Sequence, residues 1–142
     1  MFITRATRHD EADRQEFFKA HEWGDAYKGK ATSFIARDGG IVGNVSLIEI
    51  DPQTLIVEDV IVAEARRGEG IGRRLMQAAM NSRGGKLFLC CHDDVLDFYA
   101  KFDFTDQPFD ELPEPVQQFM IEDDAAPQTL EPGHVHYFLT AR

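Results

Sequence analysis

The sequence predicts a single mixed α/β domain over residues 1–142, and three observations carry that prediction. Two apolar, partly alternating segments, Ala31 to Arg37 and Ile41 to Ile50, flank Asp38-Gly39-Gly40, a composition suited to the positive φ angles of a tight hairpin turn. A β-branched run from Thr54 to Val62 reads as a strand buried on both faces. It leads through a glycine-dense turn into Ile71 to Ser82, where Ile71, Leu75, Ala78, Ala79 and Ser82 form one stripe at helical spacing. With 142 residues, 43% of them apolar, the chain can close one core, which excludes a disordered or fibrous polymer.

The remaining elements follow in order. Phe2 to Thr7 reads as a short strand, and Arg8 to Glu22 as a helix whose early acids suit the positive end of the helix dipole. Trp23 to Lys30 is irregular. Gly84-Gly85 stops the amphipathic helix, Lys86 to Cys91 is another apolar strand, and Asp93 or Asp94 caps a short helix over Val95 to Lys101. Beyond Phe104 five prolines argue against long regular elements, leaving short strands expected around Phe119–Ile121 and Val135–Leu139, with an acidic loop from Glu122 to Pro132 between them.

Charge narrows the classes of partner. The net charge of −10 disfavours a nucleic acid or an anionic membrane surface and suits a cation. Residues 1–101 hold 16 acids and 14 bases, whereas residues 102–141 hold nine acids and no Lys or Arg. Such a block is either solvated surface or the wall of a site for a cationic ligand. The two cysteines, Cys90 and Cys91, are adjacent, so no framework of separated disulfide partners forms within the chain. With no apolar run long enough to span a bilayer, a cytoplasmic protein is expected. His134 and His136 could share a strand face but have no third ligand at metal spacing, so no metal is expected.

The turn Arg66-Arg67-Gly68-Glu69-Gly70-Ile71-Gly72-Arg73-Arg74 holds the most chemistry. Glycines let backbone N–H groups approach a ligand, a helix N-terminus offers unpaired donors, and four arginines surround them, so the stretch suits an anion such as a pyrophosphate. It lacks the Gly-Lys-Ser/Thr of a P-loop, and its G-x-G-x-G spacing departs from the dinucleotide fingerprint G-x-G-x-x-G. A plain tight turn with solubilising arginines is the remaining alternative.

Arg67-Gly68-Glu69-Gly70-Ile71-Gly72 resembles the Arg/Gln-x-x-Gly-x-Gly/Ala signature of the GNAT (Gcn5-related N-acetyltransferase) superfamily, and Phe98-Tyr99-Ala100-Lys101-Phe102-Asp103-Phe104 resembles its Phe-Tyr-x-Lys-x-Gly-Phe segment. The resemblance covers roughly residues 31–104. It implies a mostly antiparallel central sheet flanked by helices and splayed between Thr54–Val62 and Lys86–Cys91 to form a coenzyme A slot. It further implies acetyl-CoA as cosubstrate, its thioester arm held at Ile61 and Val62 and its pyrophosphate at Arg67, Gly68, Gly70, Gly72 and Arg73. Tyr99 becomes the candidate general acid toward the departing thiolate, against the plainer reading of a packed tyrosine.

Two positions depart from that pattern. Asp103 replaces the usual glycine, and Asp tolerates left-handed geometry better than most residues. His92 stands where many members have asparagine, which puts that contact in doubt. Glu58 and Asp59 are consecutive on the presumed central strand and should face opposite sides, and Glu58 is the candidate base or acceptor-orienting acid, with a structural acid as the alternative. Trp23 and Tyr27 either wall the acceptor site or pack in the core.

The activity implied is acetyl transfer to a primary amine by direct attack in a ternary complex. The segment Glu111-Leu112-Pro113-Glu114-Pro115-Val116 resembles one in amino-acid acetyltransferases, so a small cationic amine is expected: an amino acid, a polyamine or an aminoglycoside. A protein lysine or N-terminus, and a catalytically silent acyl-CoA-binding regulator, are the alternatives. A homodimer is compatible with the sequence.

Overall fold

Apolar alternation, one bend and two glycine stops organise the chain. The computed structural model describes residues 1–24, 27 and 29–142, so that Asp25, Ala26 and Lys28 of the irregular Trp23–Lys30 stretch lie outside the described residues. The strands are β1 (Phe2–Arg5), β2 (Ala31–Arg37), β3 (Ile41–Asp51), β4 (Thr54–Val62), β5 (Lys86–Cys91), β6 (Thr105–Asp106) and β7 (Tyr137–Ala141). The helices are α1 (Glu11–Ala20), α2 (Ile71–Ser82), α3 (Leu96–Ala100) and α4 (Glu114–Glu122). The strands form one sheet in the order β1-β2-β3-β4-β5-β7-β6, antiparallel at β1–β2, β2–β3, β5–β7 and β6–β7 and parallel at β4–β5. Among the described residues no helix is long and apolar enough to cross a membrane.

Two compact units divide the chain: Met1–Glu49 with Val57–Gly84, and Ile50–Ile56 with Gly85–Arg142. In the first, β2 and β3 pair from Ala31↔Ile48 to Arg37↔Ile41. Thr7 and Asp10 make a reciprocal cap ahead of α1: Thr7 Oγ accepts from the His9 N–H, and Asp10 accepts from the Thr7 N–H at 2.8 Å. Phe17 and Phe18 of α1 pack with Ile61 of β4, and burial of each such side chain contributes roughly 1.5–3 kcal/mol. Helix α2 buries Ile71, Leu75 and Ala79 of the stripe read from its spacing and Met76 beside them, while Ala78 is half-buried and Ser82 exposed, and it lies on β1 and β2.

In the second unit the start of β4 pairs with β5 from Thr54↔Lys86 to Ile56↔Phe88, and β5 pairs with β7 from Leu87↔Ala141 to Cys91↔Tyr137. Gly85, at φ +114°, lets the chain enter β5, and Lys86 N–H donates to Gln53 C=O at 2.8 Å.

Three local expectations need correction. Phe119–Ile121 is not a strand but the end of α4, because Pro115 occupies the first turn, where its missing N–H costs nothing, and Val116 and Met120 are buried four residues apart. The last strand begins at Tyr137 rather than Val135, so His134 and His136 precede it. Asp93 and Asp94 cap nothing: His92 and Val95 hold the two cap positions, and neither makes a side-chain cap.

Candidate functional site

The glycine turn begins where β4 ends. Ala63 N–H donates to Val42 C=O at 2.8 Å, anchoring the strand end, and Glu64–Arg66 makes one 3-10 turn before the glycines. Gly68 and Gly70 have φ of +84° and +81°, a region in which only glycine is unstrained. A Cβ at either would meet nothing within 4 Å, so glycine serves the backbone conformation and leaves the turn surface open. Gly70 is the N-cap of α2 and offers no side chain, so the first N–H groups of the helix lack intrahelical partners and carry its positive dipole end. Gly72 lies one residue inside the helix. This donor set fits a pyrophosphate.

The four arginines are not equivalent. Arg66 is neutralised locally, its Nε on Glu69 at 3.0 Å and its Nη2 on Asp38 at 2.9 Å, and these hydrogen bonds, Glu69 first, raise its pKa further. The other three, Arg67, Arg73 and Arg74, are all exposed; Arg67 Nε donates toward Val62 C=O at 3.4 Å. Ile61 is 5% exposed within the phenylalanine cluster, and Val62 is half-buried at the strand end.

Between these residues and the strand start lies the bend. Asp59 adopts φ +52° in mid-strand and bends it, yet burial still alternates across Glu58, Asp59 and Val60, as expected of consecutive strand residues. Glu58 is half-buried, while Asp59 is buried, its carboxylate accepting from Trp23 Nε1 at 2.9 Å and from the Tyr27 N–H at 3.3 Å. Asn44, wholly buried, donates through Nδ2 to Asp59 C=O at 2.9 Å and accepts through Oδ1 from Arg14 Nε at 3.1 Å. Arg14 also donates to Ser33 Oγ at 3.0 Å and pairs with Glu11 at 2.8 Å, and Ser33 shares a hydrogen bond with Ser46. The network fastens α1, β2 and β3 to the bend. Sequence reasoning assigned no role to Asp59, Asn44 or Arg14, although an aspartate inside a strand is itself a sign of a bend or bulge.

The second unit carries the aromatic motif. Tyr99 is buried on α3, its ring edge-on to Phe98 at 5.0 Å and to Phe104 at 5.8 Å. Asp103 takes φ +67°, the left-handed geometry expected where the family motif has glycine, and the Phe104 N–H turns back to Tyr99 C=O. His92 is exposed and lies edge-on to His136 at 4.9 Å, and His136 Nδ1 is 2.9 Å from Ala125 C=O. Burial, then Asp94 and Asp106, push the Cys91 thiol up to about 11, so it stays protonated and unreactive at neutral pH. Among the described residues no group of three or more His, Cys, Asp or Glu could hold a metal ion.

Comparison with known proteins agrees with these features. Residues 29–106, more than half the chain, match the family model described as an acetyltransferase (GNAT) domain. Mouse (Mus musculus) N-alpha-acetyltransferase 80 is 41% identical over 83 residues, covering 54% of this chain and 24% of that protein, so the chain spans about a quarter of this curated relative. Among solved structures, Escherichia coli ElaA superposes with a TM-score of 0.67 at 17% identity, covering 99% of each chain. Neisseria gonorrhoeae N-acetylglutamate synthase, complexed with coenzyme A and N-acetyl-glutamate, gives a TM-score of 0.68 at 16% identity over 100% of this chain and 35% of that one. The glycine turn, the mostly antiparallel sheet and the matched domain agree, and the chain belongs to the GNAT acetyltransferase family.

Proposed function

We propose that the protein transfers an acetyl group from acetyl-CoA to a primary amine. The observation that carries this reading is the open turn at Gly68 and Gly70, left-handed at both glycines and leading without a side-chain cap into α2. Gly68, Gly70, Gly72, Arg67 and Arg73 would hold the pyrophosphate, and Ile61 and Val62 the thioester arm. Acetyl-CoA supplies the activated acyl group. The end of β4 lends backbone polarity to the developing oxyanion, Tyr99 donates the proton taken up by the leaving sulfur, and Glu58, directly or through water, receives the proton that the amine sheds. No covalent intermediate on the protein is needed.

The acceptor we propose is a small cationic amine, such as an amino acid, polyamine or aminoglycoside, drawn by the acids of residues 102–141. A second reading, the α-amine of a protein N-terminus, is favoured by the relative at 41% identity, whose name is that of an N-alpha-acetyltransferase. A screen of amino acids, spermidine, kanamycin and short peptides, read by thiol release, separates the two. In the same assay Tyr99→Phe should cut kcat by about a hundredfold with acetyl-CoA affinity retained, as for loss of a general acid. Wild-type protein that binds acetyl-CoA and turns over no amine would be a silent acyl-CoA-binding regulator instead.

A further inference from the structure

The glycine turn carries one acid. Glu69 lies between Gly68 and Gly70, one residue before the N-cap of α2, so its carboxylate is attached beside the donors that a pyrophosphate would use. A free carboxylate there would act twice against an anionic ligand. It would repel the ligand through space, and it would compete for the unpaired N–H groups of the helix, whose dipole end favours a negative charge.

Arg66 takes up that carboxylate. Its Nε donates to both Glu69 oxygens, at 3.1 and 3.0 Å, and its Nη2 donates to Asp38 of the β2–β3 turn at 2.9 Å. Among the described residues these are the only hydrogen bonds of the Glu69 carboxylate, so it covers no N–H of α2. Both ends of the clamp sit on hydrogen-bonded backbone. The Arg66 N–H donates to Ala63 C=O at 2.8 Å, and the Asp38 N–H donates to Gly40 C=O at 2.9 Å across the hairpin turn. The Glu69 and Asp38 side chains are about half exposed, and pairs of that kind contribute little to stability. The consequence of the clamp lies in where it holds a charge.

We propose that Arg66 is a positioning residue for the cofactor: by holding and neutralising the Glu69 carboxylate it keeps the N-terminus of α2 open to the pyrophosphate, without touching the ligand itself. The proposal rests on the acetyl-CoA reading above. It divides the arginines of the turn by task, Arg67 and Arg73 serving the ligand and Arg66 the acid within the turn.

Coenzyme A is the probe, titrated calorimetrically into the wild type and the variants at low and at high salt. Arg66→Gln releases Glu69 and should raise the Kd for coenzyme A by about five- to tenfold at low salt, with a smaller ratio to the wild type at high salt, where screening weakens the repulsion. Adding Glu69→Gln to that variant should return the Kd to within about twofold of the wild type, because the offending charge is gone. Arg66→Lys keeps the cation but loses the fork, and should stay within about threefold. Glu69→Gln alone should bind at least as tightly as the wild type. Loss of one part-exposed side chain leaves the fold intact, and a purely structural ion pair would lower the urea midpoint without moving these affinities.

An Arg66→Gln protein that binds coenzyme A like the wild type overturns the proposal. So does a weakened one that Glu69→Gln fails to restore, since Arg66 would then act otherwise than through Glu69. A wild type that takes up no coenzyme A removes the cofactor reading, and the proposal with it, before any variant is compared.

Discussion

A Cβ on Gly43 would stand 2.8 Å from Leu75 Cδ1, 3.1 Å from Ile71 Cγ2 and 3.3 Å from Ile61 C=O, so β3 and the first turns of α2 touch through a missing side chain. That close approach seats the helix whose N-terminus forms the glycine turn. The strand residue therefore sets how closely the helix that follows the glycine turn approaches the sheet, although it belongs to neither motif.

Gly43→Ala should cost about 1–3 kcal/mol, the usual penalty for forcing a methyl into a packed site. Leu75 can yield by rotating its end, but the Ile61 carbonyl cannot. The variant should unfold at lower urea concentration and bind coenzyme A more weakly, because relief of the contact lifts Ile71 and the turn before it. Unchanged affinity at lowered stability would show that the turn is insulated from the seat of the helix.

The Asn44 network predicts a larger stability effect. Asn44→Ala strips the donor from Asp59 C=O and the acceptor from Arg14 Nε, both in buried surroundings. At about 1–3 kcal/mol for each orphaned group, the loss should be about 2–6 kcal/mol, read from the urea midpoint. Leaving Arg14 short of a partner is the worse half, since an incompletely bonded guanidinium is harder to bury.

Much of this architecture was legible in sequence because it rests on short-range pattern. The limits of β4, α2 and β5 follow from β-branched runs, a helical stripe and glycine stops. The left-handed Asp103 was legible for the same reason, as one residue answering one local turn. The bend at Asp59 was not, because Glu58-Asp59 reads as ordinary alternation until Asn44 and Trp23, far away in sequence, are brought to it. Nor was the neutralisation of Arg66, which depends on Asp38 from the hairpin turn. Helix α4 was misread because Pro115 counts as a breaker in a window but is harmless in a first turn.

Two carboxylates should make the protein acid-sensitive. The Thr7 backbone N–H and then Arg37 hold Asp10 below its usual pKa, and Lys30 and then Arg83 do the same for Glu49. A carboxylate with a depressed folded-state pKa contributes stability that is present above its unfolded value and lost as pH falls through the folded one. The urea midpoint should therefore decline as pH is lowered from about 5 toward 3. Asp10→Asn combined with Glu49→Gln should flatten that decline and lower stability at neutral pH. A slope unchanged in the double variant would place the acid sensitivity elsewhere.

The acidic third offers the cleanest test of a cationic acceptor. Asp110, Glu111 and Glu114 are exposed around the start of α4, and Glu114 lies in its first turn, where a negative charge suits the helix dipole. Asp110→Asn, Glu111→Gln and Glu114→Gln together should cost the fold no more than about 1 kcal/mol, most of it from Glu114. If these charges draw in an ammonium, the triple variant should raise the acceptor KM by several-fold at low salt and converge with the wild type at high salt, where screening removes the attraction from both. The KM for acetyl-CoA, an anion, should hold steady or fall slightly. An acceptor KM unaffected by the three substitutions at every salt concentration would assign these acids to solvation alone.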